Sequence, residues 1–350
     1  MGSRGGLARS ALGFAVSVVA LAFVFRSVDV GQVWATLSTA NPEWVALMFA
    51  FILGDVVLRV VRWRVLLAPL AAPGTAPVGY RDTAASLLVG YLANNVLPAR
   101  LGEVVRSHDL GERTGLSRAA VLGTIVIERI VDTLVVVSIA AVAILVLSVR
   151  GIVASAVLVG FAVTALLVVG VVVGIAAHRL PGADRVRALL DRWPQVRHIL
   201  SKVRVGLSVA RNLRSMVLAV VLSVGSWSLT VLAFAAAAQA VGVQPTMGQA
   251  ALLAAGANLA TAIPAAPGYV GTFELAVVKI AESVGIPSHA GLAFGVLAHV
   301  GTLVVTSVGG ALVLAFGSRR RTIRAVAAEA STASAAAAPA STGRPATPEE

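Results

Sequence analysis

Residues 151–177 run without a single charged side chain, and apolar stretches of the same character recur along the chain. A helix needs about 20 such residues to cross the hydrocarbon of a bilayer. No backbone amide can stay unpaired in lipid, so a spanning chain is either helical or a closed barrel. The apolar runs here are continuous rather than alternating, which selects helices. Composition agrees: 13% of the 350 residues are charged and the mean hydropathy is +0.90, whereas a soluble domain carries about 25% charged residues. The expected fold class is therefore an all-α, polytopic membrane helix bundle. Full spans are expected near residues 10–26, 44–62, 119–148, 152–176, 213–241 and 289–316, about six in all. Two further apolar segments, near 83–98 and 249–285, are interrupted by proline, glycine and asparagine.

Positive charge orients the spans, because cytoplasmic loops are enriched in Lys and Arg. Arg4 and Arg9 place the N-terminus inside. Arg59, Arg62 and Arg64 place the end of the second span there too, and Arg319, Arg320 and Arg321 do the same for the last. The loop 179–214 is strongly basic, with an apolar stripe through Val186, Leu189, Leu190 and Trp193. It reads either as an amphipathic hairpin on an anionic leaflet or as a plain cytoplasmic loop. Parity then demands that each interrupted segment enter the bilayer and return, one from each face. Broken segments at matching places in two inverted halves point to a transporter-like site. The expected organisation is one membrane domain over 1–324 and a disordered Ala/Ser/Thr/Pro tail over 325–350.

Three clusters could carry chemistry. The first interrupted segment holds Asn95, Pro98, Arg100, Gly102, Glu103 and Arg106. Glu103 and Arg106 are three apart and can pair along one helical face. The second holds Asn258, Pro264, Pro267, Gly268, Gly271 and Glu274, repeating the order Asn, Pro, Gly, Glu. Irregular backbone at membrane depth survives only when buried in protein or lining a wet cavity. The third is Glu128, Arg129 and Asp132, near the start of a long apolar run. It reads as a structural ion network or as part of a site, with Arg100 or Arg106 as the expected partner of Glu128. Arg59-x-x-Arg62-Trp63-Arg64 reads first as an interfacial anchor. The chain has no cysteine, and its five histidines form no i,i+4 metal pair. Disulfides and thiolate sites are excluded, the histidines read as structural, and neither cofactor nor metal is expected.

Asn95-x-x-Pro98-x-x-x-Gly102-Glu103-x-x-Arg106, then Glu128-Arg129-x-x-Asp132, then Pro264-x-x-Pro267-Gly268-x-x-Gly271-x-x-Glu274 resembles the lysylphosphatidylglycerol synthase transmembrane-region family, also called flippase-like domain proteins. The resemblance runs from about Leu7 to Arg321. It implies a multi-spanning inner- or plasma-membrane domain that moves lipids or lipid-linked groups between leaflets. Bifunctional members add a soluble aminoacyltransferase domain; after Arg324 this chain has only its Ala-rich tail, so a non-enzymatic membrane half is expected. Tyr269 stands where the family often has Gly. The expected partners are membrane lipids, anionic or phosphate-bearing, and no nucleic acid. Arg100, Arg106 and Arg129 would attract a phosphate, and Glu103, Glu128, Asp132 and Glu274 would balance them. The alternative is a non-transporting scaffold for a glycosyltransferase or lipid-synthesis enzyme, docking through the basic loop.

Overall fold

The computed structural model describes residues 15–26, 28–71, 77–97, 101–151, 208–262 and 265–336, with scattered positions between 154 and 166 and side chains as far as Gly317. The span expected over 152–176, most of the basic loop, and the tail past residue 336 lie outside the described residues, as do Pro98, Arg100 and Pro264.

Every regular element among the described residues is helical. They are α1 (Ala15–Arg26), α2 (Val30–Ser38), α3 (Pro42–Leu67), α4 (Tyr80–Val96), α5 (Gly102–Thr114), α6 (Arg118–Leu147), α7 (Leu213–Ala240), α8 (Met247–Ala260), α9 (Thr272–Ser283) and α10 (Ser288–Ala336). Four are long and apolar enough to span: α3, α6, α7, and α10 over Ser288–Gly317. The bent pair α1 and α2, which meet at 83°, makes a fifth candidate. The turn into α2, absent from the expected spans, is set by Asp29, whose carboxylate accepts from the N–H groups of Gly31 and Gln32. α3 starts where Asn41 caps it ahead of Pro42, a residue suited to a first turn because it has no N–H to lose. A Thr246–Gln249 capping box starts α8.

The second interrupted segment is a helical hairpin; the first is one unbroken helix, α4, running through Asn94 and Asn95, and its returning arm α5 lies past the expected bound at 98. α4 folds back on α5, with Ser86 donating to Asp109 near one end and the amide of Gly102 donating to Asn94 at the other. A Cβ on Gly102 would overlap the carbonyl oxygen of Gly90, and one on Gly90 would lie 2.8 Å from Cβ of Arg106. Only paired glycines let these backbones come so close. α8 folds back on α9 in the same sense, tied by Gln249 Nε2 to the carbonyl of Val284.

The two halves repeat each other. Exchanging α3, α4, α5 and α6 for α7, α8, α9 and α10 leaves the packing pattern unchanged. α4 lies against α10 as α8 lies against α6, and α5 against α6 as α9 against α10. α3 and α7 pack on each other, antiparallel: Gly54 meets Leu229 and Leu58 meets Gly225. The pseudo-two-fold axis runs between them. Antiparallel halves form an inverted repeat.

The core of the second half is built on small residues, including Ala237, Ala254, Ala257 and Ala281, around Phe294 and Leu252. Large apolar side chains such as Leu145, Val146, Leu213, Val221 and Phe316 point outward. A surface of that kind belongs in lipid rather than water.

Candidate functional site

Both hairpins end against a cavity of about 240 Å³ near the axis. That is about eight times the volume a water molecule occupies in the liquid. Its wall takes Asp55 and Arg59 from α3, Tyr91, Asn94 and Asn95 from α4, Glu103 from α5 and Arg129 from α6. The other half supplies Phe234, Asn258, Tyr269, Phe273 and His299.

Beneath the first half's wall lies an ion network. The carboxylate of Glu128 is fully buried and accepts from Arg106 Nη2 at 2.6 Å, Arg62 Nη2 at 3.0 Å and Arg129 Nη2 at 3.0 Å. Asp132 takes both terminal nitrogens of Arg62, Nη2 at 2.9 Å, and lies 3.2 Å from Arg129. Arg62 also donates to Ser223 on α7 at 2.7 Å. Arg59 is held by Asp55 at 2.8 Å and sits 3.7 Å from Asp132, while Ser226 donates to Asp55. Four guanidinium groups thus face three carboxylates. Buried charges persist only when paired in this way. The guanidinium of Arg106 lies 3.4 Å from the centroid of the Trp63 ring, whose indole N–H donates to Thr124.

The corresponding pair in the second half is Glu274 and His299. Oε1 of Glu274 is 2.6 Å from Nδ1 of His299, and Oε2 accepts from the amide of Gly271 at 2.6 Å. Phe273 stacks on the imidazole with centroids 4.2 Å apart. The backbone from Gly268 to Gly271 is left-handed at Gly268, Tyr269 and Gly271. Gly suits such angles and a side chain strains them, which gives the family's Gly at the Tyr269 position a physical reason. α1 closes over this hairpin: Ser17 accepts from the amide of Ala266, and a Cβ on Gly271 would lie 2.7 Å from the Ser17 carbonyl oxygen.

Of the residues singled out from sequence, Asn95, Glu103, Arg129 and Asn258 line the cavity. Asn95 ties α4 to α10 by donating to Thr306 and Ser307, and Asn258 donates back to the carbonyl of Ala254. Gly102, Pro267, Gly268 and Gly271 shape the hairpins. Arg106, Glu128 and Asp132 stand behind the wall. Two readings need correction. Arg106 meets Glu128, as one of the two expected pairings has it, and not Glu103, because α5 packs that side against α6. Arg62 and Trp63 are fully buried, so they do not anchor the span at an interface, and of the three arginines used to orient its end only Arg64 lies outside the network, donating to the carbonyl of Val78. Asp55, Arg59 and His299 went unrecognised as cavity residues. His299 was findable: it lies as deep in α10 as Glu128 lies in α6.

The chain is 26% identical over 339 residues to a Haloferax volcanii protein named glycosyltransferase AglD, covering 85% of this chain and 53% of AglD. It is 29% identical over 129 residues to a membrane protein of the UPF0104 type from Methanothermobacter thermautotrophicus, covering 36% of each. The chain thus spans about half the length of the first relative and about a third of the second. No solved structure matches it. The family model described as the lysylphosphatidylglycerol synthase TM region matches residues 10–310; this multi-pass membrane chain belongs to that family.

Proposed function

We propose that this protein moves a polar-headed lipid or lipid-linked group between leaflets, and that it does so without chemical conversion. The headgroup would pass through the cavity at the axis while the acyl chains stay in the bilayer. One observation carries the reading: a charged cavity, walled by both halves of an inverted repeat, sits inside a bundle whose outer surface is apolar. Polar groups at such depth are costly and are kept where something polar must pass.

Arg59 and Arg129 are the guanidinium groups on the cavity wall. Nη2 of Arg129 lies 3.0 Å from Glu128 and 3.2 Å from Asp132, and its side chain is 44% exposed. Both guanidinium groups would meet a phosphate in the cavity, whose wall also carries Asn94 and Tyr91. The reading places the protein in the cell (inner or plasma) membrane with both termini cytoplasmic.

The test is movement of fluorescently tagged phosphatidylglycerol in vesicles carrying the purified chain. Arg129→Gln should slow it about tenfold, the equivalent of one charge-assisted hydrogen bond of about 1.5 kcal/mol. Arg129→Lys should fall between. An unchanged rate for Arg129→Gln would sink the phosphate-binding role.

The likeness to a protein named as a glycosyltransferase favours a second reading, an accessory role beside a membrane glycosyltransferase with the basic loop 179–214 as docking surface. Charge reversal over 185–204 separates the two: lost enzyme association with intact lipid movement would favour the accessory role.

A further inference from the structure

The pseudo-two-fold axis sets two buried pairs in equivalent places, and they differ in one chemical respect. In the first half Arg106 holds Glu128. A guanidinium keeps its proton at every pH a cell meets, so that hairpin is tied to α6 permanently. In the second half Glu274 holds His299. Histidine, unlike arginine, is a side chain built to gain and lose a proton, so the tie between α9 and α10 carries a chemistry that its twin lacks. We infer that the Glu274–His299 pair is a proton-binding site which sets the charge of the cavity and the position of the second hairpin, so that a proton travels with an anionic headgroup.

The geometry supplies both ends of the coupling. His299 lies on the cavity wall. The other oxygen of its partner, Glu274 Oε2, is bonded to the amide of Gly271 in the hairpin turn. A proton gained by the imidazole therefore reaches the turn through one carboxylate. With one proton between Nδ1 and Oε1 the pair carries one negative charge; with Nε2 also protonated it is a neutral ion pair. The negative state opposes an anion in the cavity and the neutral state admits it, so proton binding and anion binding favour each other.

The other groups on the wall do not duplicate this role. Asp55 is held by Arg59 and Ser226, and Arg129 by Glu128 and Asp132. α4 presents the Tyr91 phenol, α5 presents Glu103, and the hairpin presents Tyr269. α7 and α8 present the uncharged Thr230, Phe234, Asn258 and Thr261. α1 reaches the hairpin with Ser17. On α2 Asp29 is occupied in capping, and on α9 Lys279 is paired with Glu282. Glu103 is a second carboxylate on the wall beside Asp55, so the test must tell it from His299.

The absence of cysteine makes a clean experiment. Leu303 lines the cavity and lies against Gly268 of the hairpin turn. In the full chain carrying Leu303→Cys, reconstituted in vesicles of phosphatidylcholine and phosphatidylglycerol, the labelling rate with an impermeant thiosulfonate is measured from about pH 5 to pH 8 and normalised to the denatured chain at each pH. The expected result is a several-fold change with one midpoint in that range, abolished by His299→Gln and kept in Glu103→Gln. Glu274→Gln, which leaves the imidazole without its carboxylate, should displace the midpoint. A flat profile, or a profile that survives His299→Gln, overturns the proton site. The headgroup half of the inference rests on the translocation reading, and tagged phosphatidylglycerol in the same vesicles tests it separately. Titration without lipid movement leaves the proton site standing and removes its cargo; lipid movement indifferent to an imposed pH gradient and to His299→Gln removes the coupling and leaves translocation.

Discussion

Glu128 is the residue on which the first half's charge balance turns. Three guanidinium groups converge on its one carboxylate, and no part of it is exposed. Removing one partner of a buried ion network costs about 3–5 kcal/mol, because the remaining charges are left without compensation. Glu128→Gln is expected to destabilise the purified chain by that order, read as a large fall in thermal midpoint in detergent. Arg129→Gln, at a half-exposed position on the network's edge, should cost about 1 kcal/mol or less. A Glu128→Gln midpoint equal to that of Arg129→Gln would remove the network's structural role. At this scale the sequence was legible in part. The spacing of Glu128, Arg129 and Asp132 announced a shared face, and polar residues in an apolar run are rare enough to notice. Arg62 was misread because a guanidinium at the end of an apolar run usually sits at an interface. Only the packing of α3 between α6 and α7 reveals that its partners lie 66 and 70 residues away.

Among the elements, the two hairpins depend on glycine to different degrees. At Gly102 an added methyl would collide with the backbone carbonyl of Gly90 and with the Asn94 amide that caps the α5 end, and neither can move without opening the hairpin. At Gly256 the obstacle is Cδ1 of Ile280, the tip of a flexible side chain. Gly102→Ala should therefore cost about 3 kcal/mol or more, while Gly256→Ala should cost about 1 kcal/mol or less after a rotamer change. Thermal melting of the two variants in detergent checks the order, and a reversed order would mean that α4 and α5 do not cross at Gly90 and Gly102. The second hairpin was legible as an interruption because proline and glycine in an apolar run break a helix, and parity required both segments to return. The crossing point was not legible: Gly90 lies in a helix interior, where sequence alone gives a glycine no partner. The bend between α1 and α2 escaped for a related reason, since Asp29 is a cap only if a second helix follows.

On the scale of the whole molecule, the inverted repeat offers a mechanism in which the halves exchange conformations about the axis. In the present arrangement α4 meets α10 through Asn95, Thr306 and Ser307, and α8 meets α6 through Gly248 and Leu147. If the headgroup gains access first from one side and then from the other, these two interfaces must change in turn, while the α3–α7 contact at the axis serves as the pivot. A clamp across α4 and α10 is then expected to stop lipid movement, and a clamp at the pivot to leave most of it. Asn95→Cys with Ser307→Cys provides the first clamp when bridged by a short bifunctional thiol reagent; Leu58→Cys with Gly225→Cys provides the second. Each protein serves as its own control, compared before and after bridging, so any effect of the substitutions themselves cancels. Equal inhibition by both clamps would mean that the α3–α7 contact is no pivot and would remove this mechanism. Loss at the α4–α10 clamp alone would tie movement of the cargo to the interface that closes the cavity.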